Sequence, residues 1–208
     1  MLQYPAFADG VDMLTNATVA DVLRPCEKSR AGLYDLVLIF AGVVFIGLSA
    51  QLSIGFPVPF TGQTFAVLMI GALYGSRLGS MCLASYVLAG AAGVPVFSNF
   101  GSGVLFLSGP TGGYLIGFIA AAYVVGLLAE QGWDRRVWTT VLAMIVGNII
   151  LYTFGLLWLF CLMGFSAKVL IVGLYPFIIG DLLKIALAAI LLPSGWKLLG
   201  YTGLTGKK

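Results

Sequence analysis

Asp181 and Lys184 stand where charges are least expected, in the run Pro176-Phe177-Ile178-Ile179-Gly180-Asp181-Leu182-Leu183-Lys184 inside the last long apolar stretch of the chain. Three residues apart on a helix, they share one face. Near the middle of a membrane span each charge costs at least about 2.5–3.5 kcal/mol, and pairing offsets part of that cost. Ionisable residues at such depth mark functional sites by default; the alternative is a salt bridge that only locks the helix. A carboxylate accepts hydrogen bonds from N–H groups, and an ammonium donates to carbonyl or carboxylate oxygens. Together they suit a small solute carrying both donors and acceptors, such as a cyclic urea. Asn148 lies mid-way along the preceding apolar run, with Tyr152 one turn further out on the same face. Both are placed to complete a polar pocket, although an interhelical hydrogen bond accounts equally well for Asn148.

Three further groupings carry polar side chains among aromatics. Gly109-Pro110-Thr111-Gly112-Gly113-Tyr114 opens the fourth apolar run, where Pro and Gly set a tight turn. Thr111 is placed to cap the following helix, leaving free N–H groups to face a ligand. No lysine follows the glycines, so this is not a phosphate loop. Phe60-Thr61-Gly62-Gln63-Thr64 makes a polar start to the second run, and Asn99 sits between Phe97 and Phe100 in a long Gly/Ser-rich segment. Histidine is absent, and Cys26, Cys82 and Cys161 have no metal-like spacing. We therefore expect no catalytic residue, no metal and no cofactor. Of the acidic residues only Asp181 is expected to be buried. That argues against an integral membrane enzyme acting on a lipid or isoprenoid, since such enzymes cluster acids for metal.

The elements that position these residues follow from composition. The chain is 208 residues long, 60% hydrophobic and only 9% charged, with a mean hydropathy of +1.04. A soluble domain is usually about a quarter charged, so lipid must cover the surplus apolar surface. At about 20 apolar residues per span, the expectation is an all-α integral membrane protein built as a six-helix bundle. The predicted spans are 33–52, 63–74, 79–94, 111–129, 137–163 and 169–192, with the third following a tight turn at 75–79 and the sixth ended by Pro193-Ser194-Gly195. Residues 1–32 read as a cytoplasmic extension, 33–195 as the membrane domain and 196–208 as a basic cytoplasmic tail. With the N terminus inside, Arg24, Lys28, Arg30, Arg77, Arg135, Arg136, Lys197, Lys207 and Lys208 are all cytoplasmic and only Lys168 is outside. This asymmetry fits an even number of spans with both termini in the cytoplasm. The Gly/Pro segments 53–62 and 95–110 then lie outside as a lid over a site reached from there. The net charge of +3 is spent on orientation, and no nucleic-acid partner is expected. Small residues four apart (Gly71 and Gly75, Gly113 and Gly117, Ser85-Ala89-Gly93) predict close helix packing.

The combination resembles the BioY family, the biotin-specific S component of energy-coupling-factor (ECF) vitamin transporters. The stretches that carry it are Ala50-Gln51-Leu52-Ser53-Ile54, Pro57-Val58-Pro59-Phe60-Thr61-Gly62-Gln63-Thr64, Gly93-Val94-Pro95-Val96-Phe97, Gly109-Pro110-Thr111-Gly112-Gly113-Tyr114-Leu115, and Pro176-Phe177 with Gly180-Asp181-Leu182-Leu183-Lys184. The resemblance implies a six-helix bundle of the S-component type in the bacterial cytoplasmic (inner) membrane, binding biotin near its outer face as the transported ligand. It implies as partners a transmembrane coupling subunit and two cytoplasmic ATPase subunits. Asp181 and Lys184 match the family's charged pair, while Asn99 and Tyr114 fall in its binding-loop regions. Gln63, Phe97, Thr111, Gly112, Asn148 and Tyr152 complete the expected substrate-binding set. The family's Ala-x-x-x-Ala docking signature in the first helix is replaced by a loose series, Ala41, Gly42, Gly47 and Ala50. An S component of the same fold for another small vitamin is the alternative reading.

Overall fold

The computed structural model describes residues 17–54 and 58–201. A short helix α1 (Val19–Val22) precedes α2 (Lys28–Gln51). A two-residue strand β1 (Ser53–Ile54) pairs antiparallel with β2 (Phe60–Thr61), in the register Ser53 to Thr61. Next come α3 (Gln63–Ala91), a 3-10 turn at Ser98–Phe100, the short helix α4 (Val104–Leu107) and α5 (Gly112–Glu130). A second 3-10 turn, Trp133–Arg135, leads to α6 (Val137–Met163), α7 (Ala167–Gly173) and α8 (Tyr175–Tyr201). Among the described residues five helical stretches are long and apolar enough to cross a membrane: Lys28–Gln51, Gln63–Ala91, Gly112–Glu130, Val137–Met163 and Ala167–Gly200.

Helix α3 is not straight. Gly75 adopts φ 81°, ψ 178° in its middle, a conformation that only glycine visits freely, and the chain folds back there. Gln63 at the start of α3 consequently meets Tyr86 near its end, 2.7 Å apart. A straight helix would hold these residues about 35 Å apart at 1.5 Å per residue. The two arms touch again at Gly71 and Gly79, where a Cβ on Gly79 would sit 3.2 Å from the Gly71 Cα. The turn is tighter than the predicted 75–79: Gly75 alone breaks the helix.

Helix α5 lies at the centre. Gly113 and Gly117 let α6 approach, since a Cβ on Gly117 would lie 3.1 Å from the Leu151 carbonyl. Gly71 meets the Ala122 carbonyl in the same way, at 2.7 Å, and Gly126 clears room for the backbone of Gly75 and Ser76. These glycines pack as predicted. Gly93 does not: it has open space around it and φ 104°, which makes it a turn residue beyond the end of α3.

Helix α2 has a different aspect. It buries only Gly42, Ile46, Gly47 and Ala50, one narrow stripe, and exposes Leu36, Phe40 and Leu48. Such an apolar exterior suits lipid, which must cover what water cannot. The expected partner-docking series is corrected here. Gly42 faces Cys82 and Tyr74, and Gly47 faces Val96; with Ala50 also buried, the series packs mainly against the chain's own helices.

The last predicted span is also corrected. It is divided between α7 and α8 at Leu174, and Pro193 lies inside α8, which continues to Tyr201. Pro193 has no N–H to give to the carbonyl of Ala189, so that hydrogen bond is missing from α8. Residues 196–201 of the predicted tail are therefore helical.

Basic residues gather at one end of the bundle. The Arg135 guanidinium donates to the Ala17 carbonyl (3.1 Å) and stacks 4.5 Å from the centre of the Trp196 ring. Thr18 packs beside Gly75, and Glu130 accepts from the Ser76 N–H and hydroxyl, both at 2.7 Å. Asp134 is buried there and accepts from Trp196 Nε1 at 2.5 Å, so Asp181 is not the sole buried carboxylate. Burial pushes the Asp134 carboxyl up to about 6, against the opposing pull of the Trp196 hydrogen bond and the Arg135 charge. The opposite end carries β1–β2, the 98–107 segment and the turn between α6 and α7.

Candidate functional site

The end of the bundle that carries β1–β2 holds a cleft between α3, α5, α6 and α8. Its walls are mostly apolar: Phe106, Phe118, Leu151 and Phe177, with the faces of Tyr114 and Tyr152. Polar groups enter from Thr61, Gln63, Thr64, Ser98 and Thr111. Next to it lies a smaller space bounded by Asn148, Asp181, Lys184, Met144 and Leu68. Thr64 lines both.

The charged pair is satisfied within the protein. Lys184 Nζ donates to the Thr61 carbonyl (2.7 Å) and to Thr64 Oγ1 (2.7 Å), and lies 3.2 Å from Asp181 Oδ1. Thr64 Oγ1 in turn donates to Asp181 Oδ1 (3.1 Å), and the Tyr152 hydroxyl donates to Asp181 Oδ2. Asp181 is 5% exposed; a carboxylate this buried persists only when paired and hydrogen-bonded. Helix α8 supplies the pair, α6 supplies Tyr152 and Asn148, and the fold-back of α3 brings Thr64 between them. Asn148 makes no interhelical hydrogen bond: its Oδ1 is buried without a partner among the described residues.

Aromatic rings are held in place by their polar tips. The Tyr114 hydroxyl donates to the Gly173 carbonyl at 2.8 Å, and its ring stands edge-on to Tyr152 at 6.3 Å. Gly155 and Gly173 clear the space that the Tyr114 ring fills. Trp158 Nε1 donates to the Gly109 carbonyl at 2.9 Å, fixing the turn before α5. Gln63 Nε2 donates to the Tyr86 hydroxyl, which donates onward to the Val96 carbonyl at 2.9 Å.

The predicted residues separate into three groups. Gln63, Thr111, Tyr114 and Tyr152 line the larger cleft, and Asn148, Asp181 and Lys184 the smaller space. Phe97 and Gly112 stand behind the wall. The Phe97 ring is fully buried over Gly90 and stacks on Phe106 at 5.0 Å. Gly112 has no Cβ because the Leu107 carbonyl occupies that position. Asn99 is exposed and turned away, its Oδ1 accepting from the Ser53 hydroxyl at 2.7 Å. The Thr111 cap is corrected as well. Its backbone is already helical and its side chain makes no capping bond; the Gly112 N–H to Gly109 carbonyl bond (3.1 Å) closes the turn instead. Sequence reasoning missed Thr64, Tyr86, Ser98, Phe106, Phe177 and Trp158 as parts of the site. Thr64 and Phe177 stand within the motifs singled out above; the others show no signal until the fold brings them together.

The profile of the BioY family matches residues 21–201. The chain belongs to the BioY family. Relatives include the biotin transporter BioY of Thermotoga maritima, 40% identical over 153 residues, covering 74% of this chain and 89% of the relative. The probable biotin transporter BioY of Pyrococcus horikoshii is 38% identical over 157 residues, 76% of this chain and 91% of that one. A solved structure shares the fold. The crystal structure at 2.1 Å of the S-component for biotin from an ECF-type ABC transporter superposes with a TM-score of 0.70. It covers 83% of this chain and 95% of that chain at 24% identity, a likeness of fold. Family and helices together make the chain a multi-pass membrane protein.

Proposed function

We propose that this BioY chain binds biotin from the outer side of the cytoplasmic membrane and serves as the substrate-specific component of an ECF transporter. The observation that carries this is the buried Asp181–Lys184 pair, seated beneath a cleft walled by aromatic rings. A ureido ring presents two N–H donors and one carbonyl. Asp181 and the partnerless Asn148 Oδ1 are the acceptors for the former, and the Lys184 ammonium is the donor for the latter. The apolar remainder of biotin fits against Phe106, Phe118, Tyr114, Tyr152 and Phe177. Gln63 and Thr111, at the outer ends of α3 and α5, face its carboxylate. Phe97 and Gly112 shape the wall, and Asn99 secures the β1–β2 cover through Ser53.

The two arms of α3 count as separate crossings in this reading. With α2, α5, α6 and the α7–α8 pair they make six, and the arginine-rich end holding Arg24, Arg77, Arg135 and Arg136 faces the cytoplasm together with both chain ends. Residues 33–195 form the membrane domain, flanked by cytoplasmic segments 1–32 and 196–208. A transmembrane coupling subunit and two ATPase subunits supply the energy, and biotin is cargo rather than cofactor.

Tritiated-biotin binding to the purified chain tests the assignment. Wild type is expected to bind stoichiometrically, and Lys184→Ala to bind far more weakly while eluting as wild type in size exclusion. No binding by wild type sinks the proposal. Should another vitamin be the cargo, a ligand panel will show it, because only the cognate ligand raises the melting temperature strongly.

A further inference from the structure

Residues 97–101 form the outer wall of the cleft in a costly conformation. Asn99 (φ 55°) and Phe100 (φ 56°) are consecutive non-glycine residues in the left-handed region, which side chains disfavour. The turn presents Ser98 to the cleft and sends Asn99 to the opposite side, onto Ser53. Two different groups hold it. The buried Phe97 ring fixes where the turn sits. Within the turn the Phe97 N–H donates to the Gly101 carbonyl and the Gly101 N–H to the Ser98 carbonyl, both at 3.1 Å; from outside, Gln51, the last residue of α2, supplies the side-chain bonds to its backbone.

The Gln51 amide brackets the turn from both sides. Nε2 donates to the Phe97 carbonyl (3.1 Å) and to the Gly47 carbonyl (3.1 Å), while Oε1 accepts from the Phe100 N–H (3.0 Å). It thus imitates a paired strand for the turn and ties it to the end of α2. From there the connection runs on: Asn99 to Ser53, Ser53 opposite Thr61 in the strand pair, and the Thr61 carbonyl to Lys184.

We infer that Gln51 is a positioning residue: by holding Ser98–Phe100 in the left-handed turn, it keeps the outer wall closed and sets how fast ligand leaves the cleft. Gln51 does not line the cleft, so it acts through the turn and not by touching cargo. Naming biotin as the ligand rests on the function proposed above; the role of Gln51 does not.

Gln51→Met keeps length and packing but loses all three hydrogen bonds. Biotin dissociation from this variant is expected to accelerate about tenfold, with a smaller change in association rate. Amide exchange at Phe100 and Gly101, measured without biotin, is expected to rise by a similar factor. Glycine enters the left-handed region without a steric penalty, so adding Phe100→Gly to Gln51→Met restores slow dissociation if the role is conformational. If Gln51→Met does not fold, Gln51→Asn, whose amide stops one methylene short, gives the same comparison. Unchanged exchange at Phe100 in the variant overturns the inference. So does a fast dissociation that Phe100→Gly fails to slow. Should wild type bind no biotin, the exchange measurement still decides the role of Gln51, separating its failure from that of the functional assignment.

Discussion

At the arginine-rich end of the bundle, turns are short and join the ends of regular helices. Thr18 and Asp21 form a reciprocal capping box around α1, Glu130 caps the second arm of α3 through Ser76, and Asp134 meets Trp196. At the opposite end more of the backbone is irregular. Two-residue strands, a 3-10 turn and a four-residue helix are held by bonds from distant residues: Gln51 on Phe100, Tyr86 on Val96, Trp158 on Gly109, Lys184 on Thr61. The first end has helix ends and one turn to satisfy, and does so both within a turn, at Thr18 and Asp21, and from far along the chain, by Glu130 on Ser76 and Trp196 on Asp134. The second must aim polar groups into a cleft, so it departs from regular structure and borrows its support from the rigid helices. Stability and binding should therefore be separable by end.

Asp181→Asn should have the largest effect. It removes the charge that balances buried Lys184, and breaking such a pair costs about 3–5 kcal/mol. Biotin affinity should fall at least about 100-fold and the melting temperature should drop, both read on one purified sample. Retained affinity would remove the outer end's claim to be the site. At the other end, Gly126→Ala drives a methyl into the backbone at Gly75 and Ser76, and overpacking of this kind costs about 1–3 kcal/mol. Melting should drop while the folded fraction keeps its biotin affinity. Glu130→Ala strips Ser76 of its acceptor and should cost about 1–2 kcal/mol, again with affinity within about twofold of wild type. A weakened affinity in either variant would show that the two ends are coupled.

Asp134→Asn should give the smallest change and the sharpest signature. Burial raises this carboxyl from 3.8 to about 6, so the folded chain holds the proton more tightly than the unfolded one. Its contribution to stability is greatest below about pH 4, declines as pH rises to about 6, and is constant above. Melting curves from pH 4 to 7.5 should show that decline in wild type and lack it in the variant. An identical slope in both would remove Asp134 as its source.

The spans and the charged pair were legible because each rests on local facts: apolar run length, and charges where lipid makes them costly. The fifth span matches its predicted limits at 137 and 163. Gly75 was recognisable as a turn because glycine punctuates, and its φ explains why no other residue serves. Pro193 misled, since a proline costs one hydrogen bond and need not end a helix whose remaining turns are satisfied. Asn99 misled for a different reason. A polar side chain between two aromatics has two directions available, and only the bonds to neighbouring elements choose between them. Tyr86 is invisible to local reasoning because the fold-back of α3 creates its neighbourhood.

Lys184 already meets three acceptors, the Thr61 carbonyl, Thr64 Oγ1 and Asp181, and an ammonium has three protons to give. A ligand carbonyl can therefore be received only by exchange. Loading and unloading then become a swap between two fully satisfied arrangements, in which no bare charge faces the membrane interior. Of these three, the Thr61 carbonyl alone belongs to the strand pair and not to a helix. Chemical recognition at the floor of the cleft and the tension on its roof are thus drawn from the same three protons.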